Sequence, residues 1–281
     1  MRLKAVLIIL LSCISYGSYS QIYYRKTEFG ISAGGANYFG DLNQQYGFDY
    51  FRQSAGVFVK YNFSRYIAMR FAGNYGHIGY ADRYTDNFFQ QQRNLSFKSD
   101  IFEASILTDF HFFKYDIGDF EHRFTPYIAL GLGIFKYDPY AEINDTKVRL
   151  RPLGTEGQSY PEFSDRVYGT TAISFPIGAG VKFWMAKGIT VGFEVINRMT
   201  TTDYLDDVST SYVGSDLFPN DINSPYPTYA SQLQDRSTEV RDNPIGIPGR
   251  QRGISSTRDQ FLTAHLFISF RLPTYRCPDS H

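Results

Sequence analysis

Histidines, the commonest general bases in enzymes, are few in this sequence and widely separated. The histidines are His77, His111, His122, His265 and His281. None belongs to a Gly-x-Ser-x-Gly or His-Glu-x-x-His motif, which would present a nucleophile on a tight turn or two metal ligands on one helix face. The cysteines, Cys13 and Cys277, form no Cys-x-x-Cys motif that would indicate a zinc site. The sequence therefore predicts no catalytic residue, no metal centre and no cofactor.

The densest acidic group is Asp203, Asp206 and Asp207 in the segment TDYLDD. Such carboxylates could bind calcium, but the segment lacks the glycine and the closing glutamate of an EF-hand loop. We therefore expect these side chains to cap local backbone and to be solvated. Asp41 follows Gly40, and this pair is most simply a turn.

A second set of ionisable residues shares one feature, a place on the polar face of a segment with strand-like alternation. The set is Lys60, Arg70, Glu103, Asp109, Lys182, Glu194 and Arg198, with His265 and Arg271 on equivalent faces. Both signs of charge are present. Charges inside a narrow barrel must pair, because an isolated buried ion costs several kcal/mol. The set is predicted to form a salt-bridged plug and not a conducting path.

The alternation is clearest in residues 172–184, AISFPIGAGVKFW, where one face is apolar and the other carries glycines and Lys182. The pattern recurs in residues 28–39, 55–63, 67–75, 102–112, 127–137, 189–195 and 260–272. A tilted strand crosses a membrane with ~9–11 residues. We therefore predict an all-β fold, an eight-stranded antiparallel transmembrane β-barrel.

The connections between these segments alternate in length. Short turns are predicted at 62–65 and 186–188 and a charged connection at 114–123, whereas long loops cover 40–53, 82–99, 138–171 and 200–257. Short periplasmic turns and long extracellular loops are typical of outer-membrane barrels. Segment 127–137 is apolar on both faces, so its register stays open, and Gly131 and Gly133 are expected to relieve crowding.

Residues 1–20 have the organisation of a secretory signal, with Arg2 and Lys4, an apolar stretch, and Ser-Tyr-Ser before Gln21. The stretch LLSC, ending at Cys13, also resembles a lipoprotein processing box. Cleavage before Gln21 is preferred because a barrel needs no lipid anchor. Residues 21–281 then form one barrel domain in the outer membrane. The net charge of zero argues against a nucleic-acid surface, and the 17% of aromatic residues suits the girdles of a membrane barrel.

Six longer stretches carry more specific information. They are SAGGANYFGDLN (32–43), GVFVKYNFSRYIAMRFAGNYG (56–76), RNLSFKSDIFEASI (93–106), TPYIALGLGIFKYDP (125–139), RPLGTEGQ (151–158) and TDYLDDVSTSYV (202–213). Together they resemble the Bacteroidetes outer-membrane barrel family that includes PorG, a component of the type IX secretion system. The most specific matches lie in loops, where strand periodicity imposes nothing. Their signature residues are Gly40, Asp41, Gly154, Glu156, Gly157, Tyr204, Asp206 and Asp207.

The resemblance implies a non-enzymatic protein that anchors the secretion apparatus. Its partners would be outer-membrane lipids, together with the periplasmic ring lipoprotein and its partner subunit. Contacts with that ring are expected on the short turns and the C-terminal tail, at Arg65, Lys114, Asp116, Asp119, Lys187 and Arg276.

An alternative function is a small transport or adhesion barrel. Such a protein would pass a solute, or would bind a glycan or a host surface through its long loops. Aromatic residues suited to a binding surface are Tyr212, Phe218, Tyr226 and Tyr229.

Overall fold

The computed structural model describes residues 26–45, 50–117, 119–186, 188–218 and 227–271. The signal sequence predicted over residues 1–20 lies outside this range. So do Lys187 and Arg276, two of the residues predicted to contact a partner, and His281.

Eight long antiparallel strands form a closed barrel, and two short strands extend it at one end. The barrel strands are β1 (Lys26–Phe39), β2 (Arg52–Asn62), β3 (Ile67–Ala81), β4 (Ser96–His111), β5 (Phe124–Lys136), β8 (Thr171–Ala186), β9 (Ile189–Thr200) and β10 (Gln260–Arg271). The short strands are β6 (Tyr140–Ile143) and β7 (Thr146–Arg149). Pairing of β1 with β10 and of β3 with β4 closes the ring, which confirms the predicted eight-stranded antiparallel barrel.

The alternation of apolar and polar residues sets which face of each strand points outward. In β8, Ile173, Phe175 and Ile177 are exposed on the outer wall, whereas Ser174 and Lys182 are buried inside. This is the order expected for a wall with an apolar outer face.

The structure also settles the register of β5. Tyr127 and Phe135 point inward, and the leucines and isoleucines between them point outward. A Cβ at Gly131 would lie 2.2 Å from the carbonyl oxygen of Ile106, and one at Gly133 would lie 2.4 Å from Ser174 Oγ. Both glycines therefore relieve crowding, as expected.

Several strands are longer than predicted, and the largest extensions lie at the end that carries the long loops. β3 continues to Ala81, β4 already begins at Ser96, and β9 continues to Thr200. At the end of β3 both faces are covered, because Ile78, Tyr80 and Ala81 are all buried, whereas burial still alternates in the added residues of β4 and β9. A strand buried on both faces shows no alternation, so the pattern could not mark its end.

The predicted loops at this end contain secondary structure. Strands β6 and β7 form a hairpin inside segment 138–171, joined by Asn144 and Asp145 with φ of 48° and 60°. Two adjacent residues with positive φ form the type I′ turn that favours Asn and Asp. Treating 138–171 and 82–99 as plain loops was therefore wrong.

Short helices complete the same end. Helix α1 (Phe88–Arg93) begins after Asn87, whose side chain accepts from two backbone amides. Helix α2 (Tyr229–Gln234) begins after Thr228, whose hydroxyl accepts from the backbone amide of Ser231. Single 3₁₀ turns occupy Asp82–Tyr84, Phe120–His122, Arg151–Leu153, Pro161–Arg166, Ser215–Leu217 and Ser237–Glu239. Among the described residues, no helix is long and apolar enough to cross a membrane.

The long connections pack into a compact body, which we call the cap. Its core joins the ends of the barrel strands to side chains from the other segments, including Leu42, Val148, Leu205 and Leu233. The opposite end, with the short connections, is the turn end. A second core fills the barrel interior and includes Phe58, Leu107 and Phe267.

Candidate functional site: the filled lumen, the turn end and the cap

Four of the predicted inward residues form one ion-pair network at the centre of the barrel. Asp109 lies 2.7 Å from Lys60 Nζ and 3.4 Å from Arg70 Nη2, and Arg70 Nη1 donates to Glu194 at 2.6 Å. Tyr127 Oη also donates to Glu194, at 2.7 Å. All of these side chains are buried. The network crosses the lumen and fills it.

A second pair lies closer to the cap. Arg198 Nε donates to Glu103 at 3.1 Å, and the same carboxylate accepts from Ser174 at 2.8 Å and from Asn74 at 3.1 Å. Arg198 also donates to Thr263. The carboxylate and the guanidinium are thus both buried and both partnered.

Lys182, the seventh predicted lumen residue, lies nearer the turn end and joins neither network. Its Nζ is buried, makes no hydrogen bond within the described residues, and sits 4.1 Å from the ring centroid of Tyr115. Tyr115 packs with Ile117 and Trp184. These side chains close the barrel at the turn end, so the lumen is blocked at both ends and in the middle.

One interior carboxylate was not predicted. Glu28 is buried near the turn end, where it accepts from Asn62 at 2.7 Å and from Ser269 at 2.7 Å. It lies two residues before Gly30 on the same face of β1. Alternation could have identified it, because it has the same parity along β1 as the inward-facing Gly30 and Ser32.

His265 contacts serine hydroxyls, as a catalytic base would, but it lies inside the barrel, where no substrate can reach it. Its ring nitrogens lie 3.1 Å from Ser32 Oγ and 2.9 Å from Ser54 Oγ. All three side chains are buried inside the barrel. Because both nitrogens bond to hydroxyls, neither can bond to an orienting carboxylate. The arrangement satisfies buried polar groups and gives no substrate access.

The described residues predicted to contact a partner lie together at the turn end. Arg65 Nε pairs with Asp116 at 3.1 Å, which links two connections, and Asp119 accepts from His122 at 2.7 Å. Lys114 is half-buried on the same connection.

Asp119, Glu121 and His122 have ligand atoms within 4.8 Å of one another, close enough to hold a metal ion. The imidazole Nδ1 already bonds to Asp119, and the group lies at the surface. We therefore assign no ion to it.

The acidic group of the cap is buried, so the expectation of solvated side chains was wrong. Asp203, Asp206 and Asp207 are each at most 3% exposed. Asp207 accepts from the hydroxyls of Thr155 and Tyr168, and burial raises its pKa to about 6. The loop folds back over the barrel, and hydroxyl groups replace water as the partners of these carboxylates. Ser209 donates to Asp203 from nearby, but the other hydroxyl donors, such as Thr155 and Tyr168, lie far away in the chain, so the sequence offered no sign of that folding.

Tyr38 lies between two buried carboxylates of the cap, those of Asp206 and Asp259. Its hydroxyl donates to Asp206 at 2.6 Å and lies 3.0 Å from Asp259 Oδ1. One hydroxyl carries one proton, so both contacts are hydrogen bonds when Asp259 carries a proton of its own. Burial, followed by the neighbouring carboxylates, raises the pKa of both aspartates well above the usual range. This raised pKa favours the state in which Asp259 is protonated and both contacts of the Tyr38 hydroxyl are hydrogen bonds.

The signature residues of the resemblance converge in the cap. Glu156 accepts from the backbone of Ser209 and Thr210 and pairs with Arg252 at 3.1 Å. Tyr204 stacks on Tyr168 with ring centroids 4.5 Å apart. The remaining signature residues have similar structural roles.

Gly154 and Gly157 have positive φ, as the turns after Arg151–Leu153 require. A Cβ on Gly40 would lie 1.9 Å from Asp259 Oδ1. Asp41 is buried, accepts from Ile254 N at 2.9 Å, and has its pKa raised to about 7 by burial. Residues near position 40 are thus held in place by contacts with residues near position 255, more than 200 positions later in the chain.

The aromatic residues suggested as a binding surface are mostly not at the surface. Tyr212 and Phe218 are buried in the cap, Tyr226 lies outside the described residues, and Tyr229 alone of the four is shown exposed. Both side chains are buried among the cap loops, outside the main hydrophobic cluster of the cap, and are therefore not available as a binding surface.

Comparison with known proteins gives a family match and a set of distant structural neighbours. The sequence profile of a family described as a domain of unknown function, DUF6089, matches residues 2–218. No curated protein matches the chain.

Among solved structures, Neisserial surface protein A has a TM-score of 0.40 at 8% identity, covering 88% of this chain and 97% of that one. Ail of Yersinia pestis has a TM-score of 0.39 at 9% identity, covering 89% and 100%. The N-terminal β-barrel domain of Pseudomonas aeruginosa OprF has a TM-score of 0.35 at 12% identity, covering 88% and 99%.

Proposed function

The chain belongs to the DUF6089 family, and we propose that it is a non-enzymatic outer-membrane barrel that anchors the periplasmic ring of the type IX secretion apparatus. The observation that carries this proposal is the filled lumen. With ion pairs at its centre and buried side chains at both ends, the barrel offers surfaces to partners and no path to solutes.

Membrane insertion is supported by the outer wall. Exposed apolar side chains surround the barrel, among them Ile31, Val57, Ile106, Leu132 and Leu266. A contiguous apolar surface of this extent is unfavourable in water. At the turn end the exposed residues become aromatic, as in the girdle at a membrane interface: Phe63, Tyr66, Phe112, Phe113 and Phe124.

The turn end is the surface that we assign to the periplasmic ring. Outer-membrane barrels place their short turns in the periplasm. This end presents the Arg65–Asp116 pair, Lys114 and the surface group at Asp119. Phe120 is 67% exposed beside these charges, and an exposed aromatic ring among polar groups is a common anchor in protein interfaces.

The test is purification of a tagged copy from outer membranes in mild detergent, with photo-crosslinking residues at single positions. Crosslinkers at Lys114 and Phe120 should capture the ring lipoprotein or its partner subunit. A crosslinker at Asp145, on the cap hairpin, is the matched control and should capture neither. Absence of both ring proteins from the eluate and from the turn-end crosslinks would contradict the proposal.

The competing transport function has its own test. A filled lumen predicts no single-channel current when the purified barrel is inserted into a planar bilayer. Steady conductance steps would favour transport, and we would then look for solute uptake.

A further inference from the structure

A polar groove opens at the rim of the cap, between the connection that follows β1 and the segment that follows β3. It encloses about 250 Å³. The groove lies at the opposite end of the barrel from the proposed ring contacts, so what it binds is independent of the anchoring function. Three features define its chemistry: aromatic rings, amides and charge.

The aromatic part is a cluster of three tyrosines. Tyr50 and Tyr84 are stacked, with centroids 4.4 Å apart and an interplanar angle of 13°. Tyr80 meets both rings edge-on, at 5.3 Å from Tyr50 and 5.6 Å from Tyr84. Tyr50 is 44% exposed, whereas Tyr80 is buried. The cluster therefore holds one accessible ring in a fixed orientation against a buried support.

The amide part consists of a fixed floor and an accessible wall. Asn43 donates to the carbonyl of Tyr38 at 2.7 Å, and Gln90 donates to the carbonyl of Asp41 at 3.0 Å, which fixes the floor. Gln44 and Gln45 line the wall, are exposed, and have side chains with no hydrogen bond to the described part of the chain. Each free amide offers two donors and one acceptor on one planar group.

The charge of the groove excludes several classes of ligand. Within the described residues, Asp86 is the one charged side chain of its wall. No cation lines the groove itself within the described residues, and the nearby Arg83 already donates to Tyr84 Oη at 3.2 Å, so the lining offers no charge partner to a phosphate, a sulfated glycan or a nucleotide. A single exposed carboxylate is a poor site for a divalent cation. The prevalence of amides and hydroxyls also makes the groove a poor site for an acyl chain.

We infer that this groove binds a neutral carbohydrate. Sugar rings have an apolar C–H face that packs on an aromatic ring, and hydroxyls at their edge that bond to amides. Tyr50, supported by Tyr84, supplies the flat face, and Gln44 and Gln45 supply the paired donors and acceptors. A volume of about 250 Å³ suits one or two sugar units.

The test is calorimetric titration of the full-length protein, purified in a detergent without a sugar headgroup. The probes are maltotriose, mannotriose and chitotriose, with a sulfated disaccharide for comparison. At least one neutral trisaccharide should bind, and Tyr84→Ala, which removes the ring that holds Tyr50 in place, should raise its Kd about tenfold or more. Tyr84→Phe keeps the stacked ring and should keep the affinity.

Two further variants separate binding from folding. Gln44→Ala combined with Gln45→Ala changes only exposed side chains and should also raise the Kd. Tyr229→Ala removes an exposed tyrosine of α2, away from the groove, and should leave the Kd unchanged. The inference is overturned if no neutral trisaccharide binds at millimolar concentration, if the glutamine variant binds like the original protein, or if the sulfated sugar binds more tightly.

Discussion

Replacement of Asp109 by asparagine tests whether the interior charges hold the barrel together. Asp109 is fully buried and lies 2.7 Å from Lys60 and 3.4 Å from Arg70. At an effective dielectric constant of about 20, these distances correspond to gross attractions of ~6 and ~5 kcal/mol. Arg70 would retain Glu194, but Lys60 would lose the carboxylate with which it pairs. Removal of one partner of a buried pair costs about 3–5 kcal/mol, and we expect Asp109→Asn to lower the free energy of unfolding by that amount.

The assay is urea unfolding in lipid vesicles, followed by fluorescence. The chain has a single tryptophan, Trp184, which is buried at the turn end and will report loss of that packing. Asp145→Asn is the matched control, because Asp145 is exposed at the hairpin tip and asparagine also accepts its positive φ. If Asp109→Asn changes stability by less than about 1 kcal/mol, as an exposed pair would, the interior network does not stabilise the fold as argued.

A double variant identifies the cause of the loss. The ammonium of Lys60 lies 5.5 Å from the ring centroids of Phe58 and Phe267. A methionine at position 60 would pack against those rings without a charge. Lys60→Met should therefore recover most of the stability lost in Asp109→Asn, because no unpaired ion remains. Failure of this rescue would point to a packing effect of the asparagine instead.

Two other predictions concern a crowded glycine in the barrel wall and the buried carboxyls of the cap. Gly131→Ala should reduce the folded fraction on a gel-mobility assay, because its Cβ would meet the backbone oxygen of Ile106 at 2.2 Å, whereas Gly73→Ala, with its nearest atom at 3.8 Å, should fold normally. The cap should resist protease better at about pH 5 than at about pH 8, because burial raises the pKa of Asp203 to about 7 and that of Asp207 to about 6. A carboxyl with a raised pKa contributes most stability below its unfolded value, and that contribution is lost as pH rises through the folded pKa. Asp207→Asn should flatten this dependence; greater resistance at high pH would contradict the sign.

The barrel could be predicted from sequence because its two faces meet different surroundings. In β8 the outer face meets an apolar environment and the inner face meets other side chains, so a period of two appears in the residues themselves. The same alternation selected the seven interior charges, all of which the structure places inside. It could not show which charges pair. Asp109 on β4 and Lys60 on β2 meet over the intervening β3, and only the strand order and register set that distance.

The cap could not be predicted in this way, because its contacts join residues that are far apart in the chain. Glu156 meets Arg252, and Tyr38 meets both Asp206 and Asp259. The sequence of an acidic segment in a long connection does not reveal whether its side chains are solvated or are buried by folding over the barrel. One local signal was present, the Asn144–Asp145 pair between Ile143 and Thr146, which is typical of a two-residue hairpin.

The filled lumen also limits how the two ends of the molecule can influence each other. Between the cap and the turn end lie two layers of buried ion pairs, each joining strands on different sides of the barrel. A change at the sugar groove could reach the turn end only by moving these pairs, and separating buried ions costs more than the ~1–3 kcal/mol of a typical allosteric coupling. We therefore expect the two ends to act independently. Ring association should be the same with and without trisaccharide, and it should also survive the glutamine variant of the groove.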